Sequence, residues 1–329
     1  MRIMIVGAGL SGLACARRLQ AAGHEVALYD KGRGPGGRLS TRRAETPLGT
    51  LRFDHGAQYL TATRDAFASL LSMLEADGVV ARWAGRIVDR SLAGRVGDAP
   101  DRPRYVGVPG MNAVVKHLAN GLDVSWGQRV AVLSGEPGRL HATLDDGDEV
   151  GPFDQIVVAV PAEQAGDLLR PLAPALAVEA DAVRSTPNWT LMLAFDQPLA
   201  VAFDGYRDRA GAPLAWLARN TSKPGREGEG AETWVAQASP DWSSAHLEWS
   251  PEDVTADLVA RFRALTDAPA PVYSAAHRWR YAQVSTPTGV ASAHDPLVGL
   301  GVCGDWRLGP RAADAWESGE DLARKLIST

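Results

Sequence analysis

Arg2-Ile3-Met4-Ile5-Val6-Gly7-Ala8-Gly9-Leu10-Ser11-Gly12 opens the chain, and its reading decides the fold. An apolar run that ends in glycine reads as a strand buried on both faces, as in a parallel sheet. The three glycines then have separate uses. Gly7 permits a tight turn, Gly9 lets the backbone approach a pyrophosphate, and Gly12 lets a helix pack closely on the strand. Helical spacing runs from Ser11 to about Ala22, with Gly23 as its C-cap. The start of that helix, including Leu10 and Ser11, presents free N–H groups and a positive dipole end to a phosphate. Glu25–Tyr29 is a second strand, and Asp30 follows it where a carboxylate takes ribose hydroxyls. An acid there disfavours a 2′-phosphate but does not separate NAD from FAD.

Arg33-Gly34-Pro35-Gly36-Gly37-Arg38 makes that separation. A plain NAD domain usually enters a crossover helix at this point. Residues 31–43 read instead as an ordered Gly/Arg loop, suited to a second pass along a pyrophosphate. Taken alone, it also reads as an ordinary loop. Val302-Cys303-Gly304-Asp305 ends a strand, Gly299–Cys303, before a closing helix over 311–327. A carboxylate at that place can accept hydrogen bonds from a ribityl chain, and the helix start can face the pyrimidine edge of a flavin.

Two further regions carry site candidates. In Asp54-His55-Gly56-Ala57-Gln58-Tyr59, Gly56 points to a close backbone approach to a ring, and His55, Gln58 or Tyr59 to hydrogen bonds with cofactor or substrate. A structural turn explains the same side chains equally well. Trp216–Lys223 and His277–Tyr281 are the densest polar–aromatic clusters. Trp216, Asn220, His277, Trp279 and Tyr281 are the candidate pocket contacts. Arg219 or Arg278 is the candidate for an anionic group, with pairing to an acid as the alternative.

Between the motifs, Asp65–Asp77 has helical spacing, and residues 80–150 read as short strands between Gly, Asp and Pro turns. Ile156–Val160 is another buried strand, with a helix starting near Ala162. Residues 186–250 alternate as an antiparallel sheet with one solvated face, and 222–232 is the expected mobile loop. The fold class is therefore α/β: a dinucleotide fold holding FAD, with an inserted mixed-sheet substrate domain. The expected division is 1–68, 105–168 and 292–329 for the cofactor domain, and 69–104 and 169–291 for the insertion.

Composition narrows the partners. The chain has 329 residues, 45% hydrophobic, enough for about two domains. A net charge of −5 gives no basic excess for nucleic acid or an anionic membrane. The short apolar start lacks a cleavage site, and no apolar run approaches the roughly 20 residues of a membrane span. A soluble, cytoplasmic protein is expected. Cys15 and Cys303 lie far apart in sequence without metal-ligand neighbours, so no disulfide and no metal site are expected.

The three FAD motifs together resemble those of the flavin amine oxidase superfamily, with its p-hydroxybenzoate-hydroxylase-like architecture. Phe53–Tyr59, Arg219–Lys223, His277–Tyr281 and Cys303–Trp306 resemble the bacterial renalases. The resemblance implies non-covalent FAD and adds Lys31 and Val130 to the cofactor contacts. It also implies a substrate, a nicotinamide dinucleotide reduced at the wrong carbon (2- or 6-dihydro-NAD(P)H). Hydride leaves that carbon for flavin N5, and dioxygen is reduced to hydrogen peroxide. The rivals are a small-amine oxidase and a non-catalytic flavin-binding protein. Some amine oxidases place a lysine near flavin N5, and among four lysines only Lys223 is a candidate.

Overall fold

The computed structural model describes residues 1–226 and 230–328. The opening strand, Arg2–Val6, lies inside a six-stranded sheet with every residue after Arg2 buried. The order is Ala293–Asp295, Leu300–Val302, Gln155–Val158, Arg2–Val6, Glu25–Asp30, Asp123–Trp126. Every pairing is parallel except that of Ala293–Asp295, which runs antiparallel at one edge. The first helix, Leu10–Ala21, starts one residue earlier than its spacing implies, and Gly23 follows it at φ +85°. Gly7 takes φ +102°, and a Cβ on Gly12 would sit 2.0 Å from the Gly7 carbonyl oxygen. Both glycines are therefore required by the turn itself.

The second sheet has seven strands and is mixed. Its order is Tyr273–Thr286, Arg184–Phe195, Glu232–Ala238, Leu214–Arg219, Gly205–Asp208, Ile87–Arg90, Val96–Asp98. Only Gly205–Asp208 and Ile87–Arg90 run parallel. Period-2 alternation divides its side chains. Leu191, Leu193, Trp234, Ala236, Leu217 and Tyr206 face one way and share a core with Val254, Leu258 and Phe262 of the helix Pro251–Thr266. On the other face, Met192, Ala194 and Val235 meet Ala44 and Phe53 of a hairpin, Arg42–Thr46 and Gly49–Phe53. The expectation of one solvated face is corrected here: the strand Arg184–Phe195 is buried on both sides along its second half.

Other corrections are local. The strand-like stretch 80–150 contains a helix, Asn112–Ala119. The loop over 31–43 contains a 3-10 turn, Gly37–Leu39, and already enters the hairpin at Arg42. The strand-and-turn pattern passes over Pro251–Thr266, which is marked by Ser250 accepting from the Asp253 N–H and by proline at the first position. The expected mobile loop over 222–232 includes residues 227–229, which lie outside the described residues. Its beginning is anchored, with Lys223 and Arg226 buried. Cys15 and Cys303, distant in sequence, meet in the core as free thiols. The contact with Cys303, then burial, pushes the Cys15 thiol well above its ordinary value.

Candidate active site

A cleft of about 570 Å³ runs between the glycine turn and the seven-stranded sheet. One end is lined by Gly9, Leu10, Ser11, Gly36 and Arg38, with Gly304 and Asp305. The helix start there has no side-chain cap, and the buried Ser11 hydroxyl has no hydrogen-bond partner among the described residues. A Cβ on Gly9 would meet nothing within 4 Å. These unpaired donors and this open backbone fit a phosphate-bearing dinucleotide. Asp30 Oδ2 accepts from the Ala8 N–H and Oδ1 from the Gly32 N–H, each at 2.7 Å. Free lone pairs remain on both oxygens for hydroxyl donors. Arg38 and Asp305 form a two-point ion pair at 2.7 and 2.5 Å, which ties the second glycine loop to the last strand. Lys31 reaches Gln164 at 2.9 Å, and Val130 is buried in the core. Gly7, Gly12, Asp30, Lys31 and Val130 are not among the cleft-lining residues.

The segment Asp54–Tyr59 forms one wall. Gly56 lines the cleft and is also packed closely against protein: a Cβ there would lie 2.2 Å from the Arg38 carbonyl oxygen. Ala57 and Tyr59 line the cleft. Gln58 lines it too, but its amide is fully engaged. Nε2 donates to the Asp54 and Gly56 carbonyls, and Oε1 accepts from Lys223. Behind this wall lies a buried charge cluster that the sequence does not reveal. Asp54 Oδ2 accepts from Arg226 at 2.7 and 3.0 Å and lies 3.4 Å from Lys223 Nζ. Its Oδ1 takes the Thr41 hydroxyl and the Met111 N–H. Burial alone raises the Asp54 carboxyl, but Lys223 and Arg226 override it and hold it below the usual range. Burial pushes Lys223 down to about 8, against the pull of Asp54.

The seven-stranded sheet supplies the opposite wall through Asn188, Arg207, Asp208, Trp216, Gln237 and Trp279. Trp216 packs against Tyr59, and its indole N–H has no partner among the described residues. Trp279 donates to the His55 carbonyl at 2.9 Å. Three candidates lie elsewhere. Asn220 is wholly buried and binds the Asp54 N–H, the Arg52 carbonyl and Thr233. His277 packs edge-on against His55 and Trp279, and neither it nor Tyr281 lines the cleft. Arg219 pairs with Glu232 at 2.6 Å and Arg278 with Glu248 at 3.1 Å, both away from the cleft. The cation that the seven-stranded sheet brings to the cleft is Arg207, which the sequence reading misses.

His55 is also off the cleft. Burial, then His277 and Arg42, push it down to about 4, against the pull of Asp54. Its folded value lies below the unfolded 6.5, so the folded state refuses a proton that the unfolded chain accepts. His55 is therefore expected to remove on the order of 3 kcal/mol of stability as pH falls from 6.5 towards 4. Denaturant titrations across that range check this. His55→Phe should show a flatter profile, and identical profiles would exclude the effect.

The comparisons with known proteins agree with this architecture. Residues 5–75 match an NAD(P)-binding Rossmann-like domain model. Residues 95–327 match the model of flavin containing amine oxidoreductases, and the chain belongs to that family. The family implies a flavin cofactor. A solved structure from Exiguobacterium sp. 255-15, provisionally designated a protoporphyrinogen oxidase, superposes with a TM-score of 0.78 at 14% identity, covering 100% of this chain and 99% of that one. A putrescine oxidase bound to putrescine gives 0.74 at 16% identity, covering 100% and 99%. Cyclohexylamine oxidase from Brevibacterium oxydans IH-35A gives 0.74 at 13%, with the same coverages. At these identities the likeness shows the fold alone. Among curated proteins, FLOWERING LOCUS D of Arabidopsis thaliana is 43% identical over 61 residues, 18% of this chain. A 4,4'-diapophytoene desaturase of Staphylococcus haemolyticus (strain JCSC1435) is 52% identical over 40 residues, 12% of this chain. Each of these matches spans only 8% of the relative's length. Among the described residues, no helix is long and apolar enough to cross a membrane.

Proposed function

We propose that this protein is an FAD-dependent oxidase of the 2- and 6-dihydro isomers of β-NAD(P)H, forming β-NAD(P)+ and hydrogen peroxide. The observation that carries this reading is the ionisable lining of the cleft. No lysine lines it. Its two carboxylates are engaged, Asp305 by Arg38, and Asp208 by Arg90, Tyr206 and the N–H groups of Ala210 and Ala212. Arg311, and Arg207, which shares the single carboxylate of Asp89 with Arg209, add positive charge. Such a lining repels a protonated amine and favours a substrate carrying phosphate.

The cofactor domain comprises residues 1–68, 105–168 and 292–329 in this reading, with 69–104 and 169–291 as the substrate domain. Gly7–Gly12, Asp30, Lys31, Arg38, Gly56–Tyr59, Val130, Gly304 and Asp305 would hold the FAD. It would be held non-covalently, and among the described residues neither Cys15 nor Cys303 lines the cleft as a thiol for a tether. Bound FAD would supply the hydride acceptor and, with dioxygen, the oxidant. The chain's own part is positioning. Tyr59, Trp216 and Trp279 give flat apolar surfaces for a dihydropyridine ring and exclude water from it. The donor carbon loses hydride rather than a proton, so no free general base is needed. Asn220, His277 and Tyr281 would act from behind these walls.

Purified holoprotein under air should consume oxygen and form peroxide with borohydride-reduced NAD, which contains the 2- and 6-isomers. Authentic 4-dihydro-NADH should react far more slowly. Flavin bleaching by an amine panel and not by those isomers would replace this reading with amine oxidation. Bleaching by neither would leave a flavin-binding protein without this activity.

A further inference from the structure

Strand register places a row of side chains across the cleft-facing side of the second sheet. Gln237 pairs with Trp216, and Trp216 pairs with Arg207, on three adjacent strands. Cross-strand partners point the same way, and all three line the cleft. Gln237 Nε2 donates to the Gly56 carbonyl at 2.9 Å. That carbonyl can only accept, so the amide is fixed and Oε1 is turned away from it. The bond from Nε2 is the side chain's one hydrogen bond among the described residues, so Oε1 is left to a ligand. Asn188 differs, since Nδ2 donates to the Ala238 carbonyl and Oδ1 accepts from Thr190. Gln237 thus presents its amide oxygen to the cleft within this row, whereas Gln283, which also lines the cleft, lies outside the row on the edge strand Tyr273–Thr286.

Arg207 ends the row. Its guanidinium lies 5.9 Å from the Trp216 ring centroid and 3.0 Å from Asp89, which Arg209 also approaches at 3.4 Å. Asp89 is therefore shared between two arginines, which leaves Arg207 with charge to offer. Two strand spacings separate Gln237 from Arg207, about 10 Å. The row reads, in order, a hydrogen-bond acceptor, an aromatic plane and a cation.

We propose that this row sets substrate choice: Gln237 Oε1 accepts an N–H of a ring carboxamide, Trp216 flanks the ring, and Arg207 takes the phosphate on the attached ribose. The inference deepens the function proposed above and rests on it. It commits the site to the nicotinamide mononucleotide half of the substrate. An acceptor at Gln237 rejects a ring carboxylate, because two acceptors then face each other without a proton between them.

The test uses oxidised ligands, so it reads binding rather than turnover. Holoprotein is titrated with nicotinamide mononucleotide, nicotinamide riboside and nicotinic acid mononucleotide, following the flavin absorbance. The carboxamide nucleotide should bind at least about tenfold more tightly than the carboxylate nucleotide. Gln237→Met should erase that preference. Arg207→Met should weaken the mononucleotide about tenfold and leave the riboside unchanged. Equal binding of the amide and acid nucleotides to wild type overturns the proposal, as does binding of none of the three. Equal weakening of nucleotide and riboside by Arg207→Met overturns it as well. Selective binding without oxidation of dihydro isomers would reject the proposed activity and keep the row as a nucleotide-binding site. Turnover without this selectivity would reject the row alone.

Discussion

Asp54→Asn is expected to destabilise the protein by about 3–5 kcal/mol, in the range for breaking a buried ion pair. Asp54 is the single carboxylate among three wholly or almost wholly buried charges, with Lys223 and Arg226 on one of its oxygens. An asparagine leaves both cations buried without a counter-charge. Lys223, already pushed down to about 8, can lose its proton, but Arg226 cannot. Lys223→Met should cost much less, because the Arg226–Asp54 pair survives. Chemical denaturation of the two variants decides, and an Asp54→Asn protein within about 1 kcal/mol of wild type excludes this account. Lys223 also gives a sign for pH. Its folded value of about 8 lies below its unfolded 10.5, so the unfolded chain binds more protons between them. Its contribution to stability rises with pH across that window and is absent in Lys223→Met.

The second large effect separates two glycines of one motif. Gly12→Ala puts a methyl 2.0 Å from the Gly7 carbonyl oxygen, a backbone atom that cannot swing aside. The turn must open, at a cost of roughly 1–3 kcal/mol by analogy with overpacked cores, and flavin binding should go with it. Gly9 is different. Its φ of −76° suits any residue, and its Cβ would enter open space at the cleft. Gly9→Ala should therefore fold with an unchanged melting temperature as apoprotein and lose cofactor affinity by about tenfold or more, through steric exclusion. Melting curves and flavin content of the purified variants test the pair. Gly12→Ala with full flavin and wild-type melting would sink the first half. Gly9→Ala with wild-type affinity would sink the second.

Features set by local chemistry were legible in the sequence. The strand Arg2–Val6, the glycine turn and the closing helix all carry their signals within a few residues. Features set by pairing across the chain were not. Arg207 shows no motif, and only the register that places it beside Trp216 brings it to the cleft. Arg219, in a more suggestive cluster, points away to Glu232. Lys223 and Arg226 lie in a Pro/Gly stretch that reads as solvent-exposed, because nothing local announces that Asp54 waits for them. Gly319 is similar. Within a helix it reads as a weak point, yet a Cβ there would meet the Ser11 carbonyl oxygen at 2.1 Å, so it marks a close crossing of the first and last helices.

The order of the first sheet has a consequence for how the chain is made. Arg2–Val6 receives one neighbour, Glu25–Asp30, early in synthesis, but its other neighbour, Gln155–Val158, emerges more than a hundred residues later. That strand in turn waits for Leu300–Val302. Asp305, which fastens Arg38, arrives later still. A ribosome-bound chain that lacks its last segment therefore exposes an unpaired apolar sheet edge, which is prone to misassociation. Shielding of that edge during translation should therefore raise how much folded protein a cell recovers.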